Sequence, residues 1–231
     1  MRNEITTQDI VNELEVRVFM MLLDYVRDPE LLLDLLDNTD SVISGSFVNR
    51  FIEGAGNWVE GDMDIYVDIL SAHLLLEFLR SQGYRVTSPA RNRERYGRRG
   101  GGIEEVIKMQ KENPTRRVDI IVSSNKSSTY PIAHFWATHV MNFLTGSEIC
   151  IAYPATMDKV GFVVPSRMQE WRVRILRGKY ERRGYVFPEM ERAMLGEVRY
   201  FGDEQCWILP IKRVRRKIMG GRISNAVVWK F

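Results

Sequence analysis

The sequence predicts an α+β fold: a mixed sheet flanked by helices in the N-terminal part, followed by a helix-rich C-terminal part. Three observations predict it. Ile10, Leu14, Val18, Met21 and Leu22 recur at helical spacing on one stripe of residues 7–27. Residues 62–69 alternate between polar and apolar side chains, the period of a strand with one covered face. Residues 103–110 and 117–123 are two strand-like runs joined by Glu112-Asn113-Pro114-Thr115, which is turn chemistry.

The elements follow in order. Thr7 can cap the first helix, and Pro29 suits the first turn of a second one over residues 30–37. A short strand, 40–44, runs into Gly45-Ser46, and a helical turn over 47–52 follows. Gly54, Gly56 and Gly61 then mark a loop before the strand 62–69. Leu74, Leu75, Phe78 and Leu79 give residues 71–82 a helical apolar face, closed by Gly83 as a left-handed cap. An Arg/Gly loop spans 91–102. Residues 131–144 are strongly apolar and predict a buried helix. Pro165-Ser166 opens another helix, stopped by Gly184. Residues 197–211 alternate like a hairpin, with Gly202-Asp203 at the turn. The Ser/Asn-rich stretch 123–128 is the expected boundary, giving a domain over 1–128 and a second over 129–231.

Composition narrows the function classes. With 231 residues, 45% of them hydrophobic and 27% charged, the chain can bury a core without disulfide or metal staples. The net charge of +3 hides a split: residues 1–90 carry 6 Lys/Arg against 16 Asp/Glu, whereas residues 91–231 carry 27 against 14. Such polarity suits cations at one end and polyanions at the other. Cys150 and Cys206 make no disulfide framework and have no zinc-ligand spacing, so both are expected as buried thiols of a reducing compartment. The first residues are acidic and lack the apolar stretch of a secretory signal. The longest uncharged stretch, 127–147, holds Pro131, His134, His139 and Asn142, which argues against a membrane span. The expected location is therefore intracellular, cytoplasmic or nuclear. The basic run 212–217 has the composition of a nuclear-import signal and equally of a solvated surface segment.

The informative segment is Ser44-Gly45-Ser46-Phe47, followed by Gly61-Asp62-Met63-Asp64-Ile65-Tyr66-Val67-Asp68. On a strand, residues i and i+2 share a face, so Asp62 and Asp64 project side by side while Met63, Ile65 and Val67 face the core. Adjacent carboxylates repel, no basic residue sits beside them in sequence, and hard oxygen donors suit Mg²⁺ or Mn²⁺ shared with phosphate oxygens. Gly45-Ser46 lies where a strand becomes a helix, a place for phosphate: glycine lets it approach, and the helix start offers free N–H groups. In Arg117-Val118-Asp119-Ile120-Ile121-Val122 a lone carboxylate interrupts an apolar strand. If that strand lies beside 62–68, Asp119 joins the pair as a ligand and as an acceptor for the proton of an attacking hydroxyl. Each piece alone has a common structural use; the order strand, Gly-Ser, helix, Asp-x-Asp strand, Asp strand is what carries chemistry.

Here the chain resembles the nucleotidyltransferase-fold superfamily, the DNA polymerase beta-like group, over about residues 40–125. Its pattern is a Gly-Gly/Ser turn, an Asp-x-Asp/Glu strand and a third acidic residue on a later strand, matched by Gly45, Ser46, Asp62, Asp64 and Asp119. The resemblance implies two Mg²⁺ on the three aspartates and transfer of a nucleoside monophosphate from an NTP to a hydroxyl, with release of pyrophosphate. It also implies Gly45 and Ser46 at the triphosphate, with Arg50 near it. The fifteen residues between Ser46 and Asp62 exceed the usual interval, and the glycine-rich loop from Glu53 to Gly61 reads as an insertion. Val140-Met141-Asn142-Phe143-Leu144, residues 150–154 and Gly202-Asp203 look similar to fungal proteins with a nucleotidyltransferase-like domain.

Other residues carry less. Arg91, Arg93, Arg95, Arg98 and Arg99 around Tyr96 read either as a clamp on phosphates with a base-stacking ring or as a solvated loop. His134 and His139 lie five apart, off one helical face, and read as core or boundary histidines; His73 carries no signal. Lys159 is only a minor candidate for a phosphate ligand. The sequence thus predicts a Mg²⁺-dependent nucleotidyltransferase with an RNA, a small molecule or a protein side chain as acceptor. The alternatives are an inactive nucleotide- or RNA-binding module of the same fold, and an adaptor whose acidic face meets a basic partner.

Overall fold

In the computed structural model, residues 7–54, 58, 61–90, 101–165, 168–190, 194, 196–211 and 228–230 are described. The Arg91–Arg99 loop with Tyr96, most of the Glu53–Gly61 loop and the basic run 212–217 lie outside them. The first two helices are α1 (Thr7–Leu23) and α2 (Pro29–Asn38). In α2 the Asp28 carboxylate accepts from the Leu31 N–H at 3.0 Å, and Pro29 occupies the first turn. Leu32, Leu33 and Leu36 then point inward. β1 (Val42–Ser44), α3 (Ser46–Glu53), β2 (Met63–Val67) and α4 (Ala72–Ser81) follow. α4 buries Leu75, Phe78 and Leu79. β3 (Arg85–Ala90), β4 (Ile103–Lys111) and β5 (Arg116–Ser123) complete the first half.

β3 was not expected. Its Arg85, Thr87 and Ser88 lack strand-like apolarity, and it forms because it lies at the sheet edge against the long β4.

The second half departs further from expectation. Residues 131–144 are no continuous helix: they form 3-10 turns at Ile132–His134 and Thr138–Val140, then β6 (Phe143–Leu144). Their backbone groups are claimed by distant partners instead of by the next turn. The Thr138 N–H donates to the Phe162 carbonyl at 3.0 Å, and the Val164 N–H donates to that of Trp136 at 2.9 Å. The buried Asn142 amide donates to the His139 carbonyl at 2.9 Å, while its oxygen accepts from the Ala152 N–H at 3.1 Å. β7 (Glu148–Ile151), a 3-10 turn at Pro154–Asp158, α5 (Glu170–Glu181), β8 (Val198–Tyr200), β9 (Trp207–Pro210) and β10 (Val228–Lys230) follow. α5 starts at Glu170 and not at Pro165. β8 and β9 do not form the expected hairpin; β8 pairs with β10, and β9 pairs with β7. Beyond residue 129 the described part therefore holds one α-helix, three 3-10 turns and five short strands, instead of being rich in helix.

One eight-stranded mixed sheet, ordered β3-β4-β5-β2-β1-β6-β7-β9, crosses the expected boundary at residue 128. β2 and β5 run parallel, and the other neighbours are antiparallel. One face packs Ile43, Met63, Ile65, Val118 and Ile120 against α1 to α4. The opposite face carries Val42, Tyr66 and Ile121, covered by Ile132, Met141, Phe143 and Phe201 of the second half. A smaller cluster of Trp136, Val140, Tyr180 and Tyr185 lies under α5. Both faces of the sheet are thus covered, which is why Tyr66 and Ile121 are apolar or aromatic at positions that alternation alone would leave to solvent.

Candidate functional site

The parallel register of β2 and β5 sets Asp64 beside Asp119. Asp62 lies two residues before Asp64, so all three carboxylates stand on the sheet face covered by the second half. Each offers an oxygen within 4.8 Å of the others. This is the convergence that the sequence requires if the two strands are neighbours. Three carboxylates so close raise one another's cost of ionisation. The Asp64 carboxyl is pushed well above the usual carboxylate range, by burial first and then by the charges of Asp62 and Asp119, with Lys179 and Lys108 acting in the opposite sense.

Lys108 is a site residue that sequence reading missed. It sits on β4 directly across from Asp119, and its Nζ lies 2.7 Å from Asp119 Oδ2. No motif announces it: Lys108 and Asp119 are 11 residues apart and face each other only in one exact register of the β4–β5 hairpin. Lys179, on α5, was missed because it comes to the carboxylates from a helix far along the chain. Burial and the Arg183 charge lower its pKa, whereas Asp62 and Asp64 raise it. Those interactions put the inner side of α5 within electrostatic reach of the carboxylates.

Gly45 joins β1 to α3 with φ +72 and ψ −144, a conformation that side-chain-bearing residues avoid. Space is a second reason for glycine: a Cβ there would lie 2.6 Å from Asp64 Oδ2. Ser46 opens α3 and is buried, while Arg50, one turn on, is half-exposed. Ser44 pairs with Asp64 across β1 and β2, and its hydroxyl donates to the Asn142 carbonyl at 2.6 Å. That bond pins the start of β6 to the strand end beside the site.

The loop between α3 and β2 is anchored where it can be described. Trp58 Nε1 donates to Glu53 Oε2 at 3.0 Å, and the Arg183 guanidinium stacks 3.6 Å from the Trp58 ring centroid. Lys159 is not turned to phosphate. Its Nζ lies 3.1 Å from Glu53 Oε2 and donates to the Arg183 carbonyl at 2.9 Å, tying α3 to the end of α5. His139 is a core histidine, as its sequence setting suggests. It is fully buried among Trp136, Tyr180, Tyr185 and Phe187, at ring distances of 4.3–5.2 Å. Burial, aided by the Arg183 charge, pushes its pKa down to about 3. Cys150 and Cys206 are buried free thiols.

The donor set fits a hard divalent cation. Three carboxylate oxygens converge from two adjacent strands, and their mutual repulsion is relieved by positive charge placed among them. No helix among the described residues is long and apolar enough to cross a membrane. Comparison with family models, with curated proteins and with solved structures finds no match.

Proposed function

We propose that the protein is a Mg²⁺- or Mn²⁺-dependent nucleotidyltransferase of the nucleotidyltransferase fold, transferring a nucleoside monophosphate from an NTP to a hydroxyl acceptor. The observation that carries this reading is the meeting of Asp62, Asp64 and Asp119 within 4.8 Å, beside a glycine whose Cβ the site would not admit. Asp62, Asp64 and Asp119 would hold the metal, which when bound neutralises phosphate charge and polarises the reacting phosphoryl group. The buried Ser46 hydroxyl and the free N–H groups at the start of α3 suit triphosphate oxygens. Lys179 brings positive charge to the same side. An acceptor oxygen attacks the α-phosphorus, the bond to the β-phosphate oxygen breaks, and pyrophosphate leaves. The acceptor proton passes to a carboxylate, and Asp119, the member most enclosed by the sheet, is the residue placed to take it.

A second reading, a binding module without turnover, is favoured by one contact. Lys108 already neutralises Asp119 at 2.7 Å, as it would in a site that needs no metal. One experiment separates the two. The protein is incubated with Mg²⁺ or Mn²⁺, each labelled NTP and a mixed cell extract, beside an Asp62→Asn/Asp64→Asn variant. Label transfer and pyrophosphate release that the variant loses are the expected result. NTP binding without pyrophosphate would leave the module, and neither binding nor release would end both readings.

A further inference from the structure

The outward face of α5 has a composition that the carboxylate site does not use. Trp171 is 58% exposed and Ile175, one turn on, is 63% exposed, while Arg174, Arg177 and Arg182 beside them face solvent. From Glu170 to Arg183 the chain carries six Lys/Arg against two Glu. Beside this face lies a cleft of about 370 Å³, lined by Val163, Pro165, Met168 and Val173 together with Glu170, Arg174 and Arg177. Lys179, which interacts electrostatically with Asp62 and Asp64, follows Trp171 and Ile175 at i+8 and i+4, so it continues their stripe and is half-buried at its edge. Trp171 and Lys179 are eight residues apart, about 12 Å along a helix axis.

We propose that this face of α5 is the track for the acceptor, and that the acceptor is a single-stranded nucleic acid. The proposal rests on the nucleotidyltransferase reading and names the acceptor class for it. The Trp171 indole N–H donates to Gln169 Oε1 at 2.6 Å and the Arg172 guanidinium lies 5.8 Å from its ring centroid, so the exposed ring is held in place among guanidinium groups. Such a ring offers one stacking surface and several phosphate contacts, the combination that holds single strands without reading their sequence. The exposed apolar part is confined to Trp171 and Ile175, little for a protein partner, and the surplus of positive charge suits a polyanion. The Arg177 guanidinium lies 5.6 Å from the Phe187 ring centroid and pairs with Glu181 at 2.7 Å, an exposed pair that a phosphate can replace at little cost. A base stacked on Trp171, about 12 Å along the helix from Lys179, leaves the strand end within a few nucleotides of the carboxylates.

The test is fluorescence anisotropy of a short labelled single-stranded RNA, in EDTA so that the metal site plays no part, with single-stranded DNA and duplex RNA as parallel arms. Trp171→Ala should weaken binding of the single strand by about 5- to 150-fold, and Trp171→Phe should restore most of it. Arg174→Ala/Arg177→Ala should lower the slope of log affinity against log salt by about 1.4, the share of two phosphates on a single strand. Stabilisation by Mn²⁺ should be the same in these variants as in the native protein, because their side chains lie on the solvent face. Unchanged affinity and slope in both variants, equal binding of the duplex, or no binding by the native protein would overturn the proposal. So would self-association that Trp171→Ala abolishes while RNA affinity stays unchanged. If single-stranded RNA binds through α5 but no pyrophosphate is ever released, the transferase reading fails alone. If turnover onto a small hydroxyl compound persists without RNA binding, only the acceptor assignment fails.

Discussion

At Gly45 two constraints meet, a positive φ and a 2.6 Å approach of any Cβ to Asp64 Oδ2. Gly45→Ala should therefore cost about 1–3 kcal/mol and displace the Asp64 carboxylate. Urea unfolding should show the loss, and Mn²⁺ should raise the melting temperature of the variant less than that of the native protein. If the three aspartates hold the metal, a hundredfold excess over its dissociation constant should stabilise the native protein by about 2.7 kcal/mol, an increment that Asp62→Asn/Asp64→Asn should abolish. His139 gives a pH signature. Its pKa is lowered to about 3 from an ordinary value of 6.5, so the unfolded chain takes up its proton first. Stability is undiminished by this residue above pH 6.5 and falls by about 1.4 kcal/mol per unit as pH drops toward 3. His139→Phe should be near neutral in stability at pH 7 and should flatten that part of the acid limb in denaturation curves recorded from pH 7 to 4. Among single residues, the Gly45-Ser46 turn and the side-by-side Asp62 and Asp64 were legible, because a Gly-Ser turn and a strand's period of two are local signals, whereas Asp119 joins them only through the pairing of β2 with β5. Lys108 and Lys179 were not: Lys108 meets Asp119 only in one exact hairpin register, and Lys179 comes from a helix far along the chain.

At the scale of elements, local pattern decided α2, α4, β2, β4 and β5, whose caps, turns and periodicities lie within their own residues. It failed for residues 131–144, where the apolar run satisfies a helix equally well. The outcome there was set by Phe162, Ala152 and Ser44, which take the backbone and the Asn142 amide into non-local bonds. It failed again at 197–211, for a comparable reason. Arg199 is 2% exposed and forms a two-pronged pair with Asp203, Nε to Oδ2 at 2.6 Å and Nη2 to Oδ1 at 2.9 Å. Burial raises the Asp203 pKa, but the bonds from Arg199, Cys206 and the Tyr200 N–H together outweigh it and bring the group down to about 2. The same guanidinium donates to the Ala152 carbonyl at 3.0 Å, which ties the turn to the residue after β7. Arg199→Met would strand the Asp203 charge in the interior and should cost about 3–5 kcal/mol, measured by urea denaturation. Were this turn an ordinary surface hairpin, the loss would stay below about 1 kcal/mol.

For the molecule as a whole, the eight-stranded sheet runs through the boundary that the Ser/Asn-rich stretch suggested. β6 pairs with β1, and β1 pairs with β2, so the carboxylate strands sit between two halves of one hydrogen-bonded surface. Unfolding by urea should accordingly be a single transition, coincident by tryptophan fluorescence and far-UV circular dichroism. A fragment of residues 1–128 should fail to give a cooperative transition, because it leaves the β6 edge of β1 unpaired and the Tyr66 face uncovered. The charge split also acquires a spatial meaning. The acidic half supplies Asp62 and Asp64, and the basic half returns over them with Lys108 and Lys179. By itself, the sequence determined the α+β class, the Gly-Ser turn and the acidic strands, because those rest on side-chain period and turn chemistry within a few residues. Tertiary structure alone decided that Asp119 lies beside Asp64, that Lys108 pairs with it, and that the second half closes the sheet. Strand neighbours and buried hydrogen bonds are chosen by contacts distant in the chain, which no local pattern records.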